Sequence, residues 1–497
     1  MSPVPGPVDR ESFFEAQRRH RRTTWRLSAV CVAAVAVMGI PLSLVLTPVL
    51  YTLVLVFAHL ADLVAPVPES FWQTLAAGAS LMIRVIGGFL GEEAPASVTQ
   101  TLVGLSVMLL PGAVAMVLIW LGLHSLLLRA GVGGVLSALG AREPRDGDQE
   151  ERQLVNVVEE MAVAAGLRPP RVMLLDSEAA NAAAIGKSSE DATVVVSRRV
   201  LDELDRDETQ GVIGHLVGST GNGDLRISLI IASVFQAYGL LITLVDTPFG
   251  AESRAAVMRL LRFATARRSD VGREAEAAAV SALLTRHLGM EGEDDLDRFM
   301  EADQAREDSV MKSIRTVLLL PLLFTNLAIK VTLWITVSFM LGPLIALLWR
   351  ARRYLADATA VQLTRYPDGL ARALDSLGDK GATIPGSSWA THLFVIGSEG
   401  SQGGGRGAAA AGSFLTLHPP LKRRLKRLRS LGATSVPEEG RPGGLRVVGN
   451  ILAVVVVGPL IVVAAGLLLC LAGIIIGLDL LFMGIAMAVI HGLFSLL

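Results

Sequence analysis

Long apolar runs alternate with charged stretches along this chain. The apolar runs occupy residues 27–60, 101–128, 227–245, 316–349 and 445–497. A bilayer core about 30 Å thick is crossed by about 20 apolar residues in a helix. Each run is therefore long enough for a membrane span, and the last is long enough for a hairpin of two. The pattern predicts a multi-pass α-helical membrane protein. Pro41 and Pro48 in the first run fit either a kinked, tilted span or a span with a bent extension.

The polar stretches between these runs predict the rest of the organisation. They comprise a basic N-terminal tail (1–26), a loop (61–100), a first soluble stretch (130–225), a charged helical insert (251–315) and a second soluble stretch (350–444) with a Gly-rich linker (400–412). In the first soluble stretch, apolar spacing predicts helices at 150–167 and 207–221. Val-rich segments at 171–175 and 192–197 predict strands. The two soluble stretches together are expected to build one α+β domain.

Two topologies are compatible with such a split domain. The chain between its halves must cross the membrane an even number of times. Single crossings by 227–245 and 316–349, which we favour, place the insert 251–315 on the opposite side, whereas a hairpin within 316–349 keeps it on the same side. The six arginines that precede the first run favour a cytoplasmic N-terminus, and hence a cytoplasmic domain in the cell membrane.

Composition narrows the classes of partner. Of the 497 residues, 52% are hydrophobic and only 18% are charged, and the formal net charge is −1. This balance argues against a nucleic-acid partner and for the lipid bilayer as the surroundings. The two cysteines, Cys31 and Cys470, lie far apart in apolar runs, so a disulfide framework is not expected.

A defective metal motif lies on the helix predicted at 207–221. Zinc peptidase helices read H-E-x-x-H, which places two histidines one turn apart for the metal and a glutamate for the water proton. Here the segment 214–224 reads GHLVGSTGNGD. It supplies His215, but Leu216 stands where the glutamate belongs and Ser219 where the second histidine belongs.

The surrounding residues resemble a known family. In order, the chain carries RVMLLD at 171–176, NAAAIG at 181–186, TVVVS at 193–197, VLDELDRDE at 200–208, RRYLADA at 352–358 and TLHPPL at 416–421. This succession of strand, turn, strand, acidic helix entry and later elements is similar to that of the HtpX-like membrane zinc metallopeptidases, a family that includes the CAAX prenyl proteases. The resemblance implies a cytoplasmic zincin-like domain. In the family this domain binds zinc and cleaves peptide bonds.

The resemblance also assigns roles to positions, and most of the reactive ones are changed. It aligns His215 with the first zinc ligand, Leu216 with the general base, Ser219 with the second ligand and Arg353 with the third. Leucine accepts no proton, a hydroxyl is a poor zinc ligand, and a guanidinium repels a dication. Asp357 aligns with the aspartate that orients the first histidine. We expect no metal here, and instead a structural cluster in which Asp357 bonds His215 and Arg353 pairs with an acid.

Other interpretations of these residues stay open. His418, His392 or Asp224 could complete a rescued metal site. Ser219 could act as a nucleophile with His215 as its base. The Gly-rich linker 400–412 lacks the strand and helix that frame a phosphate cradle.

Charged residues near the membrane runs also allow two interpretations each. Lys330, inside an apolar run, could pair with Asp246 or Asp479 as a functional group, or could snorkel to the interface. The basic stripe 421–429 could lie on anionic lipid or pack on its own domain.

The expected function follows from the family and the lost chemistry. We predict an inactive HtpX-like pseudopeptidase that holds a membrane-protein segment, a peptide or a partner subunit, without cofactor. The alternatives are an active zinc endopeptidase with unusual ligands, and a transporter or channel with a regulatory peptidase-like domain.

Overall fold

The structure, a computed structural model, describes residues 12–62, 64–90, 97–247, 250–265, 342–379, 393–397 and 417–435, together with Asn326 and Lys330. Three helices come first: α1 (Phe13–Asp62), α2 (Glu69–Leu90) and α3 (Val98–Ala138). The N-terminal tail expected at 1–26 is helical from Phe13 onwards, where α1 begins, and its cytoplasmic side stays a prediction. Most of the loop expected at 61–100 forms α2, and its role as the connection between two spans stays a prediction. Its less exposed residues, such as Trp72, Leu75 and Met82, recur at helical spacing.

Small and hydroxyl residues allow α1 and α3 to approach closely. A Cβ on Gly112 would lie 2.5 Å from the carbonyl oxygen of Ser43. The Gly112 N–H donates to Thr47 Oγ1 at 3.0 Å, and Ser43 Oγ donates to the Leu109 carbonyl at 2.6 Å. Such contacts are typical of helix pairs in apolar surroundings.

One helix segment among the described residues is long and apolar enough to cross a membrane. It is Val98–Ser125, with 28 residues and a mean hydropathy of 2.5. This segment overlaps the predicted run 101–128, and the other crossings stay predictions. The run 445–497 and the linker 400–412 lie outside the described residues, as does nearly all of 266–341.

A helix and a three-stranded sheet follow α3. They are α4 (Gln149–Ala165), β1 (Arg171–Leu175), β2 (Ala182–Ile185) and β3 (Thr193–Ser197). The sheet order is β1-β3-β2, in which β1 and β3 are parallel and β2 and β3 antiparallel. The helix and the two strands predicted here are confirmed. The turn expected at 181–186 is wrong, since four of its residues form β2, whose short alanine side chains fit a fully buried strand.

The remaining helices complete the domain. They are α5 (Arg198–Glu203), α6 (Arg206–Gly221), α7 (Asp224–Asp246), α8 (Ala251–Thr265), α9 (Gly342–Thr364), α10 (Pro367–Asp379) and α11 (Leu421–Ser430). A capping box begins α6, in which Asp205 and Glu208 each bond the other's backbone N–H. Helix α9 runs continuously through 349/350, where we predicted the boundary between an apolar run and the second soluble stretch.

Two hydrophobic clusters lie on the two faces of the sheet. Val194 and Val196 of β3 face α4, α6, α9, α10 and α11, whereas Val195 faces the other side. This alternation is the period of two of a β-strand. On that other side Val195 packs with Leu136, so the end of α3 lies directly against the sheet. The helix that carries the candidate membrane span thus also supports the peptidase-like core.

Gly211 sets the distance between α6 and α10. A Cβ on Gly211 would lie 2.5 Å from the Leu370 backbone nitrogen and 2.7 Å from its Cα. We expect Gly211→Ala to force the helices apart and to lower the free energy of unfolding by about 1–3 kcal/mol. Urea unfolding of the full chain in detergent micelles measures this. The matched control is Gly133→Ala, where no atom lies within 4 Å of the added Cβ. Equal stability of the two variants would contradict the prediction.

Candidate functional site

Two glycines of α6 bring α9 close to the metal-motif residues. A Cβ on Gly218 would lie 2.9 Å from Thr359 Cβ, and one on Gly214 would lie 3.2 Å from Thr364 Cγ2. Because these glycines are one helical turn apart, they form one small-residue face of α6 against α9. This contact places His215 of α6 beside Asp357 of α9.

The His215 imidazole is completely buried and contacts a group on each ring nitrogen. Its Nδ1 lies 2.8 Å from Asp357 Oδ1, and its Nε2 lies 3.3 Å from Arg353 Nη1. A guanidinium can only donate, so Nε2 accepts this bond and Nδ1 carries the proton. The predicted contact between Asp357 and His215 is confirmed.

The charges of the cluster follow from burial and from its arginines. Burial lowers the pKa of His215 to about 4 and outweighs the opposing effect of Asp357, so the imidazole is neutral at pH 7. Burial alone would raise the pKa of Asp357, but Arg424 and the His215 contact hold it well below its usual value. Burial and the neighbouring Arg424 lower the pKa of Arg353 to about 10, which leaves it protonated at pH 7.

Arg424 of α11 is the principal partner of Asp357, and the sequence analysis did not identify it. Its Nε and Nη2 donate to the two carboxylate oxygens at 2.9 and 2.7 Å, and both side chains are buried. A signal was present in the helical spacing. Arg424 lies three residues after Leu421 and four before Leu428, on the face that these leucines direct into the core.

Arg353 connects His215 to the backbone of segment 393–397. Its Nη2 donates to the Phe394 carbonyl oxygen at 2.7 Å, and its guanidinium lies 5.3 Å from the centre of the Trp349 ring. Two neighbouring arginines pair with acids, Arg424 with Asp357 and Arg352 with Asp224, and the ion pair predicted for Arg353 itself stays a prediction. The Arg353 guanidinium occupies the space in front of His215 Nε2.

The segment 393–397 lies along the outer edge of β2. Phe394 forms an antiparallel bridge with Ala183, and the Val395 N–H donates to the Ala182 carbonyl at 2.8 Å. Side-chain donors also bind two backbone carbonyl groups of this segment. Asn181 Nδ2 donates to the Ile396 carbonyl at 2.9 Å, and Arg424 Nη1 donates to the Val395 carbonyl at 2.7 Å. The cluster therefore anchors this segment at successive carbonyl groups.

Ser219 bonds to an acid rather than to the histidine. Its Oγ donates to Asp224 Oδ2 at 2.6 Å, and the other carboxylate oxygen of Asp224 accepts from Arg352. Burial raises the pKa of Asp224 above its usual value despite Arg352. A nucleophilic serine would direct its proton to the imidazole, so this geometry disfavours the Ser219–His215 alternative.

Leu216 and His418 take structural positions. Leu216, at the general-base position, is fully buried in the main hydrophobic cluster. His418 packs against Gly397, where a Cβ would lie 2.4 Å from its Cδ2. The other candidate for a rescued metal site, His392, lies outside the described residues.

Lys330 forms one of the two ion pairs considered for it. Its Nζ lies 2.8 Å from Asp246 Oδ1, and Asn326 Nδ2 donates to the same oxygen at 2.7 Å. The other predicted partner, Asp479, lies outside the described residues. The transport alternative stays a prediction.

The residues around Nε2 do not fit a catalytic zinc ion. Such an ion takes three protein ligands from imidazole, thiolate or carboxylate groups. Here a guanidinium faces Nε2, and the nearby serine is bonded to Asp224. Over the part of the chain that the structure describes, no group of three or more His, Cys, Asp or Glu side chains is placed to hold a metal ion.

Comparison with known proteins shows the family to which the chain belongs. Peptidase family M48 matches residues 148–432, which is more than half of the chain. The chain therefore belongs to peptidase family M48, and the resemblance to HtpX-like peptidases is confirmed. No solved structure matches the chain significantly.

Among curated proteins, the chain is similar to several named protease HtpX homologues. It is 27% identical to that of Dictyoglomus turgidum over 60% of this chain and 75% of the relative. It is 29% identical to that of Thermoanaerobacter pseudethanolicus over 57% and 73%, respectively. For the homologue of Streptococcus gordonii the identity is 28%, over 60% and 78%.

Proposed function

We propose that this M48 member is a proteolytically inactive pseudopeptidase that holds membrane-protein or peptide segments without cutting them. The observation that carries the proposal is the buried Arg353 guanidinium, 3.3 Å from His215 Nε2. A dication at Nε2 would lie beside this permanent positive charge, and in a buried site that repulsion is poorly screened. This contact supports the proposal that no metal binds at His215 Nε2.

The general base is also missing from the position that the family implies. Leu216 fills that position, and its side chain packs in the hydrophobic cluster. The Asp357 carboxylate accepts two hydrogen bonds from Arg424 and contacts His215 Nδ1. Asp224 is occupied by Ser219 and Arg352. A water molecule at Nε2 would therefore lack the proton acceptor that hydrolysis requires.

The proposed location is the cell membrane, with several crossings and the peptidase-like domain in the cytoplasm. The apolar segment Val98–Ser125 supports it, and so do the arginines that precede the run 27–60. The proposed partner is accordingly a membrane-protein segment, a loop next to the membrane or a partner subunit.

The test combines metal analysis with casein as an unfolded probe. We expect the purified full chain to contain no stoichiometric zinc, and to bind casein but leave it intact. Stoichiometric zinc and casein cleavage, both lost in His215→Ala, would instead establish the zinc endopeptidase alternative. Failure to bind casein would contradict the holding function and leave the inactivity untouched.

A rebuilt variant provides the positive control. Leu216→Glu/Ser219→His/Arg353→Glu restores the three family residues beside His215, and it is expected to acquire zinc. Zinc in this variant and none in the wild-type protein would locate the defect at these positions. His418→Ala in the wild-type background tests whether His418 rescues metal binding, and no change is expected.

A further inference from the structure

Two strongly basic helical segments, about 400 positions apart in sequence, meet in the structure. The first is the beginning of α1, whose exposed cations are Arg18, Arg19, Arg21, Arg22 and Arg26. The second is α11, whose cations outside the core are Lys422, Arg423, Lys426, Arg427 and Arg429. In α1 up to Arg26 the only acidic residue is Glu15, and α11 has none. We call these ten residues the basic surface.

The Arg427 guanidinium holds the two segments together through contacts with two aromatic rings. His20 of α1 is buried, and its Nε2 lies 3.2 Å from Arg427 Nη1 of α11. The Arg427 guanidinium lies 3.4 Å above the ring of Tyr354, and the His20 ring lies 5.8 Å from that ring. Burial, reinforced by Arg427, lowers the pKa of His20 to about 4, so this contact adds no further charge at pH 7.

Each segment turns its basic side away from the core. On α1 the buried residues Ala16, His20 and Thr24 recur every four positions, which leaves the arginines on the outside. On α11, Leu421, Leu425 and Leu428 pack on the domain. The packing predicted for the basic stripe 421–429 is confirmed, yet it leaves Lys422, Arg423 and Lys426 exposed. The two interpretations of the stripe are therefore compatible.

The basic surface lies close to the point where the first apolar run begins. Helix α1 is continuous from Phe13 to Asp62, and its apolar run begins at Leu27. His20, which contacts α11, precedes Leu27 by seven residues, or about 10 Å along the axis. That distance is about the Debye length at physiological salt, before the reach of the side chains is added. Trp25, next to this boundary, is 76% exposed, as expected for an interfacial aromatic residue.

We propose that the basic surface binds the anionic phospholipid headgroups of the leaflet that α1 enters. Charge complementarity favours this partner, since clustered lysine and arginine side chains next to a span are attracted to acidic lipids. The continuity of α1 into an apolar run favours a bilayer over a soluble polyanion. The contact would fix the peptidase-like domain against the membrane through α1 and α11 together.

Lipid-dependent thermal unfolding of the full chain in neutral detergent micelles tests this proposal. Phosphatidylglycerol is expected to raise the unfolding midpoint, phosphatidylcholine is not, and 0.5 M salt should remove most of the effect. In Lys422→Gln/Arg423→Gln/Lys426→Gln, half-maximal stabilisation should require about a hundredfold more phosphatidylglycerol. The matched control, Arg152→Gln/Arg168→Gln/Lys187→Gln, removes three charges elsewhere and should respond like the wild-type protein.

Three results would overturn the proposal. They are equal stabilisation by both lipids, an unchanged response of the α11 variant, and equal stabilisation by a short single-stranded RNA, which would indicate a soluble polyanion. Arg18→Gln/Arg21→Gln/Arg22→Gln is a second variant, on α1, should the first fail to fold. None of these outcomes depends on whether the protein binds or cleaves peptides.

Discussion

Asp357→Ala is expected to lower the free energy of unfolding of the full chain by about 3–5 kcal/mol. The substitution removes the carboxylate that accepts both bonds from Arg424, whose guanidinium is itself buried. It leaves a buried cation without its counterion, close to the second buried cation of Arg353. Urea unfolding in detergent micelles, followed by tryptophan fluorescence, measures the loss.

An exposed ion pair supplies the control for Asp357→Ala. Glu160 and Arg206 lie 3.3 Å apart with both side chains largely exposed, so Glu160→Ala should cost about 1 kcal/mol or less. The double variant Asp357→Leu/Arg424→Met removes both charges and should be more stable than Asp357→Ala. A loss for Asp357→Ala no larger than that for Glu160→Ala would show that the buried cluster does not stabilise the domain.

Acidification is expected to destabilise the protein between pH 6.5 and pH 4, and His215 is one of two histidines that contribute. Its pKa is about 4 in the folded protein against 6.5 for an ordinary histidine. Between these pH values this histidine binds its proton only in the unfolded chain. Each pH unit of acidification therefore lowers the free energy of unfolding by about 1.4 kcal/mol for this one group. The stability that the neutral His215 side chain contributes is fully present above pH 6.5 and is lost below pH 4. Denaturant unfolding at a series of pH values measures this slope.

Histidine variants separate the contributions to this slope. His215→Gln should be less stable at pH 7 but should lose less stability on acidification. His20 titrates in the same interval, because its folded pKa is also about 4. The double variant His20→Gln/His215→Gln should therefore have the flattest profile. Asp357 does not contribute, because its pKa lies below its usual value and its effect begins only under pH 4. Parallel profiles for wild type and His215→Gln would refute the assignment.

Local patterns predicted the elements that carry the site. The acidic residues Asp207 and Glu208 at the start of the metal helix predicted α6 to within one residue of its observed beginning. The valines around 194–196 predicted β3, because a cluster of β-branched residues between turn residues is a purely local signal. The aligned motif positions placed Asp357 beside His215, since each is fixed by its own helix. The turn expected at 181–186 came from the family resemblance, and the short alanine-rich segment carries too little local pattern to indicate the buried strand β2 instead.

The parts that could not be predicted depend on contacts between distant segments. Arg424 meets Asp357 across 67 positions, and Phe394 meets Arg353 across 41. Nothing in the run of basic residues around Arg424 distinguishes the buried arginine from its exposed neighbours except its phase with Leu421 and Leu428. The junction of α1 with α11 is likewise formed by packing that no local pattern encodes.

The pairing of segment 393–397 with β2 affects any peptide that approaches this sheet. A peptide strand that binds at this edge would compete with segment 393–397, which is part of the same chain and therefore has an effective concentration typically in the millimolar range. Backbone hydrogen bonds to β2 do not by themselves favour the peptide over segment 393–397, because Val395 already forms one with Ala182. Only a peptide that makes additional side-chain or lipid-facing contacts displaces segment 393–397 from β2. The same resident strand also protects the sheet from edge-to-edge aggregation.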